Sequence, residues 1–239
     1  MIINRSFSSS FAKEERFGSL KSLVLLVVIA ILATSNTYAQ ASFETIDGLR
    51  YLIDSDAKTA TLTANAGGEK YTGDIVVPEK VKASDGVEYP VTALGDNAFN
   101  GCSGLKSITI PSSVTSLGDD CFQSCSGLTS LTIPSSVTSL GEFCFSYCHS
   151  LTSITIPSSV TSLGKYCFAW CSGLTSVTIP SSVTSLGDDC FQSCSGLTSV
   201  TIPSSVTSLG SECFRDCSSL TSITIPSSVT SLGDYCFFI

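Results

Sequence analysis

The sequence predicts an α/β solenoid, in which short coils stack side by side and bury their apolar faces against one another. The first observation is a unit of 23 residues that repeats through most of the chain. Proline recurs at this step, as at Pro111 and Pro134, and phenylalanine recurs with it, as at Phe122 and Phe145. A period of this length is typical of solenoids, because one unit is too small to form a core alone. The second observation is a short run in every unit where apolar and polar residues alternate, which indicates one strand per unit.

The first 39 residues have the pattern of an export signal. An unbroken apolar run over residues 23–33 follows basic residues, and small residues after it offer cleavage after Ala39 or after Ala41. The run is short for a membrane span, which needs about 20 residues. We therefore predict a signal peptide over residues 1–39, with an uncleaved anchor as the alternative. No other segment is predicted to cross a membrane.

The charge of the chain argues against some classes of partner. The 239 residues include 12 bases and 20 acids, which gives a formal charge of −8. The predicted signal peptide holds four of the bases and two of the acids, so its removal leaves a charge near −10. Such a surface repels phosphate groups, which argues against nucleic acid and anionic lipid as partners.

Residues 42–75 lack the repeat and are predicted to form an N-terminal β cap. They contain three strand-like runs, FETIDGLRYLI, ATLTA and KYTGDIVVP. A repeat array needs its open end covered, which gives such a segment a role. The repeats then occupy residues 76–239. A degenerate unit comes first, and five full units and a partial one follow, at 105–127, 128–150, 151–173, 174–196, 197–219 and 220–239.

Each unit is predicted to contain a strand and a short helix. In the unit 105–127, Ile108 and Ile110 face inward and Thr109 faces outward, because side chains alternate along a strand. Proline ends that strand because it cannot donate to a ladder. A short helical turn is predicted at about 119–125. Its inward face is expected to carry Cys121, Phe122 and Cys125.

The repeat pattern L-x-x-I-x-I-P-x-x-V-x-x-L-G-x-x-C-F-x-x-C-x-G resembles the leucine-rich repeats of the bacterial surface antigen A (BspA-like) family. The usual unit of that family has Ala-Phe where most units here have Cys-Phe, and Ala98-Phe99 keeps the usual form. The resemblance covers residues 76–239. It implies a right-handed leucine-rich repeat superhelix with a parallel sheet on one face and short helices on the other. It also implies an exported, surface-exposed protein used in adhesion or host interaction.

The twelve cysteines lie in two columns, where a column means one position of successive units. One column is Cys121, Cys144, Cys167, Cys190, Cys213 and Cys236, and the other is Cys102, Cys125, Cys148, Cys171, Cys194 and Cys217. Residues at i and i+4 of a helix hold their Cβ atoms about 5–6 Å apart, which is too far for the roughly 3.5–4.5 Å of a disulfide. We interpret these cysteines as small buried apolar fillers. Disulfides between repeats are one alternative. Metal ligation is the other, disfavoured because the spacing lacks histidine partners.

The sequence predicts no catalytic residue, no metal site and no cofactor. The single histidine, His149, replaces a serine of the other full repeats, and such a lone substitution is typical of drift. The serines recur with the repeat, and none lies in a G-x-S-x-G elbow. The chain is therefore predicted not to be an enzyme.

The outward face of the strands is one candidate binding surface. Its threonines should form a ladder, of which we single out Thr132, Thr155, Thr178 and Thr201. A uniform hydroxyl face could bind a glycan or an extended protein, with weak contacts added up by repetition. The alternative is that these residues only keep the sheet soluble.

A cluster of aromatic residues is the sharper candidate. The two columns that hold Asp120 and Ser124 in one unit hold aromatic residues in the next two units, namely Phe143, Tyr147, Tyr166 and Trp170. The rest of the repeat is nearly invariant, so this departure stands out. Aromatic clusters are enriched in protein interfaces. The alternative is that the rings lie flat on one another and fill a groove.

These observations predict a secreted or cell-surface interaction or adhesion module, with a host matrix protein or a glycan as its partner. The alternative is a structural or non-functional array, such as a truncated copy of a longer surface protein. The last unit ends in apolar residues without a polar cap. Self-association there is a further expectation, since exposed apolar patches tend to be covered.

Overall fold

The computed structural model describes residues 41–238. The predicted signal peptide, with its cleavage point after Ala39, lies outside the described residues, as does Ile239. Over the part of the chain that is described, no helix is both long and apolar enough to cross a bilayer.

Residues 41–238 form seventeen strands and one 3-10 turn, most of the strands being two or three residues long. In chain order they are β1 Ser42–Ile46, β2 Leu49–Asp54, β3 Thr59–Thr63, the 3-10 turn Ala66–Gly68, β4 Gly73–Val76, β5 Lys80–Lys82, β6 Glu88–Leu94, β7 Leu105–Thr109, β8 Ser116–Leu117, β9 Ser130–Thr132, β10 Ser139–Leu140, β11 Ser153–Thr155, β12 Ser162–Leu163, β13 Ser176–Thr178, β14 Ser185–Leu186, β15 Ser199–Thr201, β16 Ser208–Leu209 and β17 Ser231–Leu232.

The strands form a β-solenoid of about six coils. We name the five full units coil 1 to coil 5 in chain order, and residues 220–238 coil 6. Each full coil contributes one strand to a strand face and a second, two-residue strand to a second ladder. Pairing is parallel and in register at the 23-residue step, as in Thr155 with Thr132 and Leu186 with Leu163. In-register pairing lets each column of the sequence become a column in space.

The strand face is less continuous than the single parallel sheet that the resemblance implies. One sheet has the order β9-β11-β13-β15, and β4 pairs separately with β7. In coil 6 the equivalent residues 222–224 form no strand. The N-terminal strands β1, β2 and β3 form an antiparallel meander, and β3 pairs with β6 at the start of the second ladder. The boundary predicted between residues 75 and 76 falls within β4.

The predicted short helices are wrong. The segment at about 119–125, and its equivalents, forms two successive tight turns instead. In coil 1, Asp120 and Ser124 have left-handed φ angles of 55° and 58°. The Phe122 N–H donates to the Cys144 carbonyl of coil 2 at 2.8 Å. The backbone N–H groups of a helix donate to carbonyls of the same helix. A helix here would therefore leave neighbouring coils without hydrogen bonds to each other on this side.

The core is a continuous column of phenylalanine rings flanked by aliphatic residues and cysteines. Rings from Phe99 to Phe237 stack between successive coils with centroids 5.2–5.7 Å apart and planes within 6°. The inward residues predicted for coil 1, Cys121, Phe122 and Cys125, are all buried. The prediction of which residues face inward is therefore confirmed, although the predicted helix is wrong. In-register stacking buries the same columns in every coil.

All twelve cysteines are buried free thiols, as the filler interpretation predicts. The second column has an additional role, since the thiols of five of its six cysteines donate to a phenylalanine carbonyl of the preceding unit. Cys171 Sγ, for example, lies 3.1 Å from the Phe145 carbonyl oxygen. In the first column, burial alone raises the pKa of Cys167. Buried thiols of this kind are inert, because the reactive thiolate is disfavoured.

Replacing a cysteine by serine should destabilise the protein more in the first column than in the second. We expect Cys167→Ser to lower the free energy of unfolding by about 1–3 kcal/mol, because a buried hydroxyl would lie in apolar surroundings. Cys171→Ser should cost less, because its hydroxyl can still donate to the Phe145 carbonyl. Urea unfolding of both variants measures the difference. Equal losses would contradict the assigned hydrogen bond.

Candidate functional site

The structure brings Phe143, Tyr147, Tyr166 and Trp170 together in one surface group, which we call the aromatic cluster. Phe143 of coil 2 stacks on Tyr166 of coil 3, with ring centroids 4.5 Å apart and planes 9° from parallel. Tyr147 stacks on Trp170 at 4.6 Å and 4°. Tyr166 and Trp170, within coil 3, are 5.8 Å apart at 5°. The rings thus lie flat on one another, the arrangement expected by the groove-filling alternative.

The cluster is nevertheless open to solvent. Tyr147 is 37% exposed, and the other three side chains are partly buried. The His149 ring meets Tyr147 edge-on at 6.0 Å, and its Nδ1 lies 3.3 Å from Ser172 Oγ. Aromatic surface of this kind remains available for contact with a partner.

The four aromatic residues occupy strained backbone positions. Their φ angles are 54° for Phe143 and Tyr166, and 59° for Tyr147 and Trp170. A left-handed backbone costs roughly 1–2 kcal/mol for an ordinary residue and is least unfavourable for glycine, asparagine and aspartate. Most equivalents in the other coils are Asn97, Asp120, Asp189 and Glu212 in one column, and Gly101, Ser124, Ser193 and Asp216 in the other.

Two small residues beneath the cluster escaped the sequence analysis. Ser146 and Ala169 lie between the two aromatic columns and are fully buried, and Ser146 Oγ has no hydrogen-bond partner. The same column holds Gln123 and Gln192 in coils whose flanking residues are Asp and Ser. Small residues therefore occur where the flanking side chains are large. Comparing the three columns together, rather than singly, would have revealed this compensation.

The second ladder is interrupted at the aromatic cluster. Among the described strands, β10 of coil 2 and β12 of coil 3 are not hydrogen-bonded to each other, whereas β8–β10 and β12–β14 are. A Cβ atom on Gly164 would find its nearest neighbour at 3.7 Å, against 2.1–3.0 Å at the equivalent glycines. Leu140 is 7% exposed, compared with 1–2% for Leu163 and Leu186. The two coils that carry the aromatic rings are therefore less closely packed along this seam.

Charges differ on the two sides of the cluster. On the coil 4 side, Lys165 pairs with Asp188 at 3.0 Å, and Arg215 pairs with Glu212 at 2.7 Å. The Lys165 ammonium lowers the pKa of Asp188. On the coil 1 side, burial and the nearby Asp119 and Asp96 raise the pKa of Asp120. The coil 1 side is therefore the more strongly acidic one.

The predicted hydroxyl ladder has the geometry that the sequence suggests. The residues Thr132, Thr155, Thr178 and Thr201 are exposed and paired in register. Ser107, Thr109, Ser130 and Thr132 line a groove of about 380 Å³ where β7 and β9 are not paired. The groove is also lined by apolar residues, such as Ile108 and Leu131. Binding on this face stays a prediction.

The described part of the chain has few of the side-chain arrangements that catalysis requires. Between residues 41 and 238, no group of three or more His, Cys, Asp or Glu side chains is arranged to hold a metal ion. Burial disfavours the thiolate and raises the pKa of most core cysteines, as at Cys144 and Cys190. Cys236 is an exception, since a hydrogen bond with Cys213 lowers its pKa. The buried sulfurs with raised pKa values are poor nucleophiles.

Coil 6 exposes apolar side chains. Among them are Ile225, Leu232, Tyr235, Phe237 and Phe238. Self-association through this coil stays a prediction.

Comparisons with known proteins agree with this architecture. The model of the BspA type leucine rich repeat region matches the chain in six copies, over residues 84–197 and 142–239. No curated protein matches the chain.

Solved structures with the same fold include bacterial surface proteins. A leucine rich cell surface protein from Faecalibacterium prausnitzii A2-165 is 33% identical, with a TM-score of 0.71 over 83% of this chain and 52% of that one. The chain thus spans about half the length of that structure. A T. pallidum leucine rich repeat protein is 28% identical, with a TM-score of 0.69 over 77% of this chain and 83% of that one. The pneumococcal vaccine antigen PcpA, 15% identical with a TM-score of 0.53 over 81% of this chain and 78% of that one, shares the fold alone.

Proposed function

This chain belongs to the BspA-type leucine-rich repeat proteins, and from that membership we propose that it is a non-catalytic module that binds a partner protein at the cell surface or outside the cell. The aromatic cluster is the anchor of that interaction. An apolar export-like run in residues 23–33 and similarity to a cell surface protein support the location. Labelling of intact cells with a membrane-impermeant reagent tests it.

The observation that carries the proposal is a stack of aromatic rings at the surface, where most other coils have small or acidic residues. Each of the four residues accepts a left-handed φ that costs roughly 1–2 kcal/mol. Stacking contributes only about 0.5–1.5 kcal/mol per aromatic pair, so it offsets part of that cost. In most other coils these positions are occupied by aspartate or serine. The serine and glutamate equivalents take the same left-handed φ, so the backbone does not require rings at these positions. Burial against a partner would give the rings a role.

The chemistry of the cluster suits a protein partner. Tyrosine and tryptophan dominate the residues that carry binding energy in protein interfaces, because they bury a large area at low entropic cost. The four rings are held in fixed positions by stacking between coils, so little conformational freedom is lost on binding. The partly exposed Tyr147 is the expected centre of the contact.

Binding should be lost when the rings are removed. The variant Tyr147→Ser with Trp170→Ser places in coils 2 and 3 the residue that Ser124 and Ser193 already provide in coils 1 and 4. We expect capture of extracellular matrix proteins to fall at least tenfold, as for removal of two interface anchors. The thermal melt should fall only modestly, because serine is native to this column, although Ser146 and Ala169 fill less space than Gln123 and Gln192 do.

A matched control separates the two candidate faces. Thr155→Ala with Thr178→Ala alters only the hydroxyl ladder, and we expect it to retain binding. If the tyrosine–tryptophan variant still binds, or if its melt collapses, the cluster is not the anchor. If the threonine variant alone loses binding, the strand face is the functional surface. Normal adhesion by a deletion strain would favour the remaining alternative, a non-functional array.

A further inference from the structure

We propose that the coil 1 side of the aromatic cluster is a docking surface for an arginine side chain in a basic segment of the partner protein. This inference rests on the proposed function, since it assigns the chemistry of the group that the cluster binds. It follows from three features of that side, which are an open ring face, an adjacent small residue and carboxylates without a cation.

The ring stack ends with an open face towards coil 1. Tyr147 has Trp170 stacked on one face, and the equivalent position on its other side is Ser124. The Ser124 N–H donates to the Ser146 carbonyl at 2.8 Å, so coil 1 lies one regular step away. A third ring at this position would continue the stack, but the chain places a small hydroxymethyl group there. A flat group from a partner can therefore stack on the free face of Tyr147.

Carboxylates lie on this side of the cluster. Asp120 occupies the column next to that of Ser124, and Asp119 and Asp96 are close enough to raise its pKa. In the described residues, ion pairs within 4.0 Å involve other acids, namely Glu88, Asp188, Glu212 and Asp216. Two of these three already accept backbone hydrogen bonds from the next coil, since Asp96 accepts from the Asp119 N–H and Asp119 accepts from the Glu142 N–H. Their charge is still not neutralised, so the surface is complementary to a cation.

Arginine is the protein side chain that fits both features. Its guanidinium group is planar, stacks on aromatic faces and presents donors in a fork that matches a carboxylate. A lysine ammonium offers charge without a plane, and an anionic group is repelled. The chain itself contains such a contact, with the Arg50 guanidinium carbon 3.8 Å from the centroid of the Phe43 ring. A basic segment is therefore the expected partner, which agrees with the chain's net charge of −8.

The sequence offers an internal control for the carboxylate. Residues 111–130 and 180–199 are identical, so Asp120 and Asp189 have the same local sequence. Asp189 is only 8% exposed and lies beside Tyr166, in the neighbourhood of the paired Arg215. Asp120 is more exposed, and the ion pairs of the described residues do not include it. A charge that serves the partner should therefore matter at Asp120 and not at Asp189.

The test is a titration of the full chain with a short peptide in which arginine alternates with glycine. Matched peptides carry lysine or glutamate instead of arginine. Trp170 is the only tryptophan, so its fluorescence reports binding at the cluster. We expect the arginine peptide to bind at least about threefold more tightly than the lysine peptide, because only guanidinium stacks well on a ring. The glutamate peptide should not bind.

Variants then locate the contact. Asp120→Asn should weaken binding of the arginine peptide about fivefold or more, the effect of losing one charge-assisted hydrogen bond. Asp189→Asn should change it less than about twofold. Tyr147→Ser should weaken binding of the arginine peptide and abolish its preference over lysine. Circular dichroism confirms that each variant is folded.

Two results would overturn the inference. One is equal binding of the arginine and lysine peptides, and the other is an equal effect of Asp120→Asn and Asp189→Asn. If the natural partner still requires Tyr147 and Trp170 while the arginine peptide fails to bind, the cluster is an interface of different chemistry and the proposed function stands. If neither the partner nor the peptide depends on these rings, both proposals fail.

Discussion

Replacing Phe168 by alanine is expected to lower the free energy of unfolding by about 3–5 kcal/mol, the usual cost of removing a buried phenylalanine. Phe168 is fully buried and stacks on Phe145 at 5.3 Å and on Phe191 at 5.4 Å. The substitution therefore removes contacts with two coils at once and leaves a cavity in the middle of the array. Because each coil is stabilised only by its neighbours, the interruption should also reduce cooperativity.

Phe237 provides the matched control at the end of the same column. It stacks only on Phe214, with centroids 5.7 Å apart, and is 37% exposed. We expect Phe237→Ala to cost about 1–2 kcal/mol, because fewer contacts are lost and solvent can fill the space. Urea unfolding followed by circular dichroism measures both. Equal losses at the two positions would mean that the ring column does not couple the coils.

Replacing Gly210 by alanine is expected to be the second most damaging change. A Cβ atom there would lie 2.4 Å from the Asp188 backbone nitrogen and 2.5 Å from the Gly187 carbonyl carbon. Backbone cannot move aside as a flexible side chain can, so coils 4 and 5 would have to separate. Overpacking of this kind costs about 1–3 kcal/mol, occasionally more. Breakage of the Gly210 N–H bond to the Leu186 carbonyl, now 2.9 Å long, would add to it.

Gly164 is the control, since it occupies the same column at the open seam. A Cβ atom there has its nearest neighbour at 3.7 Å, which is ordinary van der Waals contact. Gly164→Ala should therefore be neutral, or stabilising by about 0.4–1 kcal/mol through the unfolded chain. Thermal melts of the two variants give the comparison. A large loss at Gly164 would contradict the wider spacing of coils 2 and 3.

The open seam and the aromatic cluster occur between the same two coils, and this coincidence bears on function. Phe143 and Tyr166 stack directly beside the interrupted pairing of β10 and β12. The regular hydrogen bonds of the second ladder are therefore absent at the point where the bulky aromatic rings lie on the surface. This is the pattern expected when a repeat is adapted for contact rather than for its own stability.

The repeat period alone determined most of the fold. In-register stacking turns each column of the sequence into a column in space, so the buried phenylalanines, the outward threonines and the family resemblance all followed from spacing. The aromatic residues of the candidate site were also visible, because they depart from an otherwise uniform repeat. The burial of the rings and the alternation of inward and outward residues along a strand depend on side-chain type. Side-chain type can be read directly from the sequence.

What the tertiary structure decided was the backbone between those columns and the distances between coils. The prediction of a helix at about 119–125 is wrong because two residues per coil take a left-handed φ, and the N–H groups of Asp120, Phe122 and Ser124 donate to carbonyls of the next coil. The identity of Asp120 does not reveal this backbone conformation. The small Ser146 and Ala169, the wider space at Gly164 and the open face of Tyr147 depend on how closely adjacent coils approach. The distance between adjacent coils is set by the sum of contacts between them. It therefore cannot be predicted from any single position of the sequence.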